Sequence, residues 1–236
     1  MHRKLVLFDI DGTLLKVGSI NRRVLGDALI EVYGTEGSTG RHDFSGKMDG
    51  AIIYEVLENS GLERREIAER FDRARETYIE LFRQRTQKTD ITLLEGVREL
   101  LDGLSRLSGV HLGLLTGNFE RSGRHKLQLP GIDHYFPFGA FADDALARTE
   151  LPPIAVDRAE QRTGTRFSPA ETVIIGDTPH DIGCARVLDA KSIAVATGNF
   201  SMQELAAHNP GALFENFAAT GEVITEILNT QSLLPS

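Results

Sequence analysis

Three short apolar runs, each ending at a polar residue, constrain this chain more than any other feature of its 236 residues. LVLF stops at Asp9, VHLGLL at Thr116 and TVIIG at Asp177, and a glycine-bearing turn accompanies each stop. Apolar runs of this length, without alternation, suit strands buried on both faces of a parallel sheet. Helical patterns separate them: GVRELLDGLSRL before the second run and PIAVDRAEQRTG before the third. The alternation predicts an α/β fold with a doubly wound parallel sheet. A fourth run, KSIAVATG, reads as a later strand of the same sheet.

Residues 15–90 break the alternation. NRRVLGDALIEVYG and DGAIIYEVLENSG have helical spacing, and ERREIAERFDRARETYIELFRQR reads as one long, charged, amphipathic helix. The expected organisation is a core made of residues 1–14 and 91–236, with a small helical domain, 15–90, inserted and no strand inside it. The junctions fall near LLKVGS and TDITLLEG. Acidic residues interleave with the arginines of the long helix, as in Glu66/Arg70 and Glu69/Arg73, so it reads as a solvated, salt-bridged face.

Bulk properties narrow the function. A net charge of −8 is the wrong sign for a nucleic-acid surface, so any phosphate chemistry needs a local cation. No apolar stretch is long enough to span a membrane. A secretory signal is not expected, because removing about fifteen residues would delete the first candidate site. The single cysteine, Cys184, lies in an apolar helical pattern and reads as a small buried side chain. One cysteine fits a reducing compartment, and a cytoplasmic location is expected.

In an open α/β sheet, ligands bind outside the carboxyl ends of the strands. The polar stops should therefore meet, bringing together Asp9, Asp11, Thr116, Gly117, Asp177 and Asp181. Carboxylates that close repel one another unless a cation sits among them, and an all-oxygen set suits Mg²⁺. A metal alone does not require Asp9 and Asp11 so near each other. One carboxylate can attack phosphorus while its neighbour donates and later accepts a proton. Thr116 and Gly117 offer a hydroxyl and an open backbone N–H to a phosphate. Singly, each cluster has a plain explanation: Asp-Gly is a common turn pair, and Thr, Asn and Asp cap helices. Their order, each at the end of an expected strand, is what those explanations leave out.

These residues resemble the haloacid-dehalogenase superfamily of phosphohydrolases. DIDGT (Asp9 to Thr13) matches its first motif, LLTGN its second at Thr116, and GDTPHD (Asp177 to Asp181) its fourth. The helical insert resembles the C1-type cap of that superfamily, and the whole chain is most similar to the phosphoglycolate-phosphatase-like branch. The resemblance implies a Rossmann-like core and a phosphatase acting on a small phosphorylated metabolite, phosphoglycolate-like or a sugar phosphate. It implies Asp9 as nucleophile and Asp11 as general acid/base. Asp9, the Asp11 backbone carbonyl and Asp177 would hold Mg²⁺, with Asp181 in support. Gly12, Thr13, Thr116, Gly117 and Asn118 would surround the phosphoryl group. Lys47, in the cap segment FSGKMDG, would touch an anionic leaving group.

The third motif departs from the pattern. It usually provides a lysine some thirty residues after the second-motif threonine, and here that region reads ALARTELPPIAV. Arg148 stands at about that distance and is the expected cation. Lys126, ten residues after Thr116, reads as a surface helix lysine far from the strand ends. Two rival functions remain open: a phosphomutase of the same superfamily, and a non-catalytic phosphate-binding regulatory protein.

Overall fold

The computed structural model of the chain describes residues 3–229; the ends of the expected core, 1–2 and 230–236, lie outside it. The chain opens with β1 (Lys4–Phe8), then β2 (Leu15–Val17) and three helices, α1 (Ile20–Tyr33), α2 (Asp49–Glu58) and α3 (Arg64–Arg85). It returns through β3 (Ile91–Leu93) to α4 (Val97–Ser105), β4 (Val110–Leu115), α5 (Glu120–Gln128) and β5 (Gly139–Ala140). The second half alternates α6 (Leu151–Thr163), β6 (Thr172–Gly176), α7 (Pro179–Val187), β7 (Lys191–Val195), α8 (Met202–Ala206), β8 (Ala212–Phe214) and α9 (Thr220–Leu228).

Six strands form a parallel sheet in the order β5-β4-β1-β6-β7-β8. All of β1 is buried, and its period of two sends alternate side chains to opposite faces. Val6 and Phe8 pack with α4 and α9 through Leu100, Leu101, Leu104, Val223 and Ile227. Leu5 and Leu7 pack with α6 and α7 through Ala155, Ala159, Cys184 and Ala185. A strand covered on both sides has no polar face to show, which is why LVLF carries no alternation. The sequence reading of a doubly wound α/β sheet agrees with this architecture.

β1 lies between β4 and β6, so the three polar stops occupy neighbouring strand ends. Beyond β1 the chain leaves through β2 and comes back through β3. These two strands pair antiparallel, with Leu15 opposite Leu93 and Val17 opposite Ile91. The expectation of a strand-free insert is corrected here: β2 begins residues 15–90. Three residues cannot register as a strand alone, and this one exists through its distant partner, the strand of Ile91–Leu93. The two expected junction segments supply the ribbon.

Between the ribbon strands, α1, α2 and α3 build a separate apolar cluster around Leu29, Ile53, Val56, Ile79 and Phe82. Along α3 the ion pair Glu66–Arg70 forms, whereas Glu69 pairs with Arg65 instead of Arg73. Phe119, which follows β4 in the core, inserts into this cluster against Phe71 and Tyr78, with ring centroids 6.5 and 6.3 Å away. It is 1 % exposed and joins the two units through packing. Phe119→Ala should lower unfolding free energy by about 3–5 kcal/mol, read from urea titration by circular dichroism. A loss under about 1 kcal/mol would show that the joint does not depend on this ring.

Candidate active site

Asp9 directly follows β1, and its N–H donates to the Ile175 carbonyl at 3.0 Å, extending the ladder to the carboxylate itself. Asp177 holds the same position after β6, and Asp181 lies in the first turn of α7. One oxygen from each of these three buried carboxylates falls within 4.8 Å of the others. Thr13 donates its hydroxyl to Asp177 at 3.0 Å. Thr178 donates both N–H (3.0 Å) and hydroxyl (2.7 Å) to Asp181. Gly12 has φ +84°, and a Cβ there would stand 2.3 Å from Asp177 Oδ2, so only glycine fits the turn.

Burial and mutual repulsion leave these acids short of positive charge. Burial first, then Asp181 and Asp11, push the Asp9 carboxyl up to about 6 against the pull of Arg148. Burial, then Asp9 and Asp181, push Asp177 up to about 8. Arg148 is the counter-charge: Nη2 lies 3.0 Å from Asp9 Oδ1 and 2.5 Å from Asp181 Oδ1. Burial disfavours its charge, but Asp181 and Asp9 outweigh that, and the guanidinium is held protonated more firmly than usual. When all three carboxyls are ionised, one guanidinium leaves two negative charges unbalanced. This donor set, all oxygen and buried, fits a hard divalent cation.

Asp11 faces another set of partners. Lys126 Nζ reaches its two oxygens at 3.0 and 2.8 Å, and Asn118 Nδ2 donates to Oδ2 at 2.7 Å. Asn118 also donates to Thr116 Oγ1 (2.8 Å) and accepts from Lys126 (2.5 Å). The reading of Lys126 as a distant surface lysine is therefore corrected: it is fully buried beside Asp11. Lys126 stands six residues into α5, a rise of about 9 Å, and a helical side chain leans back toward the N-terminus. A signal was present in the sequence. Ser122, Gly123, Lys126 and Leu127 share the buried face of α5 at i, i+4 spacing.

Two further expectations change. Thr13, expected beside the phosphoryl group, is fully buried and spends its hydroxyl on Asp177. Lys47 does line the cleft, but its ammonium is paired with Glu55 at 2.5 Å and His42 at 3.1 Å. Gly12, Gly117, Thr116, Asn118 and Arg148 all line the same cleft, of about 420 Å³, with Asp9, Asp11 and Asp177. Cys184 is buried with its thiol pushed up to about 12 by burial, in keeping with a packing role.

Asp49 carries a role that the sequence reading did not assign. Its N–H donates to the Gly117 carbonyl at 2.7 Å, and its carboxylate accepts from Phe119 N–H at 2.9 Å. A Cβ on Gly117 would meet the Lys47 carbonyl at 2.2 Å. Arg148 Nη1 donates to the Gly46 carbonyl at 3.1 Å, and Asn199 to Ser45 at 2.7 Å. Residues 45–49 of the helical unit are thus fastened onto the core loops that border the cleft. Burial, opposed by Lys126, pushes the Asp49 carboxyl up to about 6.

The sequence model of haloacid dehalogenase-like hydrolases matches residues 3–189. The chain belongs to that family. Among curated members, pyrophosphatase PpaX of Bacillus velezensis is 28% identical over 215 residues, covering 90% of this chain and 92% of that protein. The phosphoglycolate phosphatase of Vibrio vulnificus strain CMCP6 is 26% identical over 224 residues, 94% and 96% of the two chains. In structure, β-phosphoglucomutase of Clostridium difficile superposes with a TM-score of 0.70 at 17% identity, over 97% and 98% of the chains. That last likeness shows the shared fold. In this haloacid dehalogenase-like hydrolase, Asp9 and Asp177 follow two adjacent strands and Asp181 lies in the first turn of the helix after the second.

The raised carboxyls make a pH prediction. Asp9 and Asp177 ionise at higher pH in the folded metal-free protein than in the unfolded chain, so folding takes up protons. That contribution to stability is full below the ordinary carboxylate range and is lost as pH rises through about 6 and then about 8. Saturating Mg²⁺ should therefore raise the melting temperature of chelator-treated protein more at about pH 8.5 than at about pH 5. An equal rise at both would refute the charge-deficit account.

Proposed function

We propose that the protein is a Mg²⁺-dependent phosphatase that hydrolyses a small phosphomonoester through an aspartyl phosphate on Asp9. The observation that carries this reading is the buried carboxylate triad with Arg148 on the Asp9 oxygen, opening into a cleft also lined by Asp11, Thr116 and Gly117. Family membership and the phosphatases among its relatives support it.

In the first step Asp9 attacks phosphorus, the ester P–O bond breaks, and Asp11 gives its proton to the departing alcohol oxygen. In the second, water attacks phosphorus while Asp11 takes its proton. The acyl-phosphate P–O bond then breaks, which frees Asp9 and inorganic phosphate and leaves Asp11 ready for another cycle. Asp9, Asp177 and the Asp11 carbonyl, supported by Asp181, would hold Mg²⁺, which supplies neutralising charge to the nucleophile and the transferring phosphoryl group. Arg148 holds Asp9 and adds fixed positive charge at the site, in the place of the usual third-motif lysine. Thr116 and the open backbone at Gly117 bind phosphoryl oxygens, and the helical unit of residues 15–90 acts as a cap over the leaving group.

The decisive measurement is release of inorganic phosphate from a panel of phosphorylated metabolites with Mg²⁺. Isomerised sugar phosphate in place of free phosphate would turn the reading to a mutase, and no turnover of any ester would turn it to a binding protein. Asp9→Asn should abolish release while keeping the far-ultraviolet circular-dichroism spectrum of the folded protein; full activity in that variant would refute the covalent step. Arg148→Ala should lower kcat about a hundredfold to a thousandfold. Activity within threefold of the parent would remove Arg148 from the machinery.

A further inference from the structure

Lys126 is the least exposed charged residue near the cleft, and the steps just described leave it without a task. Its relative exposure is 0 %, and it is absent from the residues lining the cleft. An ammonium has three N–H donors. Lys126 places Nζ at 3.0 and 2.8 Å from the two Asp11 oxygens and 2.5 Å from Asn118 Oδ1, so its hydrogen-bonding capacity is met by three acceptors. The Phe82 ring of α3 covers it, with Nζ 5.6 Å from the centroid. Asp11, by contrast, is 38 % exposed and lines the cleft. Lys126 therefore grips Asp11 from the protein side and leaves the cleft side open.

Stability does not account for this arrangement. A buried ion pair seldom stabilises a fold more than apolar residues of the same volume, because desolvation offsets the attraction. Asn118 adds a second constraint, since one side-chain amide ties Asp11 Oδ2 to Thr116 Oγ1. The cluster fixes both oxygens of a carboxylate whose neighbour, Asp9, is fixed separately by Arg148.

We propose that Lys126 is a positioning residue for Asp11, a second buried cation beside the one that holds Asp9. Arg148 serves the attacking carboxylate, and Lys126, with Asn118, aims the proton-handling carboxylate at the leaving oxygen. Lys126 does not line the cleft and acts only through Asp11. The assignment rests on the phosphatase reading above.

The test compares two esters that differ in their need for a proton. An alkyl phosphate requires protonation of its leaving oxygen, and 4-nitrophenyl phosphate does not. In kcat/KM, which reports the steps through departure of the alcohol, Lys126→Met should reduce the alkyl-to-aryl ratio about thirtyfold or more, within the range of general-acid contributions. A ratio is independent of the fraction of protein that is folded. Lys126→Gln gives the same measurement if the Met variant does not fold, and Lys126→Arg should restore part of the ratio. In an Asp11→Asn background, Lys126→Met should add little further loss. An unchanged ratio, or full additivity with Asp11→Asn, overturns the role of Lys126 while leaving the phosphatase reading intact. If the parent protein releases phosphate from neither ester, the phosphatase reading fails and this assignment falls with it.

Discussion

Repulsion among Asp9, Asp177 and Asp181 is the interaction around which this molecule is arranged. Their oxygens gather within 4.8 Å in a place largely closed to water, where like charges interact far more strongly than in solvent. The sheet order β4-β1-β6 makes the gathering possible by setting two of the acids on neighbouring strand ends. What makes it tolerable is a surrounding set of donors: Thr13 on Asp177, Thr178 on Asp181, and Arg148 between Asp9 and Asp181. Each donor comes from a different part of the chain, so the core cannot form this corner until most of its elements are in place.

The same electrostatics reaches the helical unit. Arg148 spends one terminal nitrogen on the acids and the other on the Gly46 carbonyl. Asp49 answers from the other side, bonding Gly117 and Phe119 just after the second strand end. The 45–49 segment therefore lies across both margins of the cleft, held by groups that also define the site. Gly117 is small because a carbonyl of that segment passes within 2.2 Å of where its Cβ would be. A glycine that reads in sequence as an opening for phosphate is also a seat for the helical unit.

How much of this was legible in the sequence depended on whether a residue's environment could be read locally. β1, β4, β6 and β7 were legible because burial on both faces leaves a continuous apolar run. β2 and β3 were not, since LKV and ITL alternate over three residues and exist only as each other's partners. β5 has two residues and borrows its register from β4. Asp9, Asp177 and Asp181 could be placed together from the strand ends and the turns after them, and Arg148 only through the resemblance to the family's third motif. Lys126 reads as remote because distance along a chain does not report distance in space. The helix folds its six-residue advance back toward the strand end through a long side chain, and only the buried face of α5 carries that information. Asp49 drew no assignment, because its bonds to Gly117 and Phe119 need a partner loop that no local pattern reveals.

Two buried cations then require a reason. Arg148 and Lys126 are 7 % and 0 % exposed; Arg148 pairs with Asp9 and Asp181, and Lys126 with Asp11. A fold selected for stability alone would fill both positions with apolar side chains, since desolving an ammonium or a guanidinium costs several kcal/mol before any attraction is counted. Neither cation replaces the other, because they approach the DxD pair from opposite sides: Arg148 from the turn before α6, Lys126 from α5. Removing either would free one carboxylate to relax away from its neighbour, and the repulsion between Asp9 and Asp11 favours that relaxation. Holding two like charges one residue apart, both turned toward the same cleft, demands a separate anchor for each.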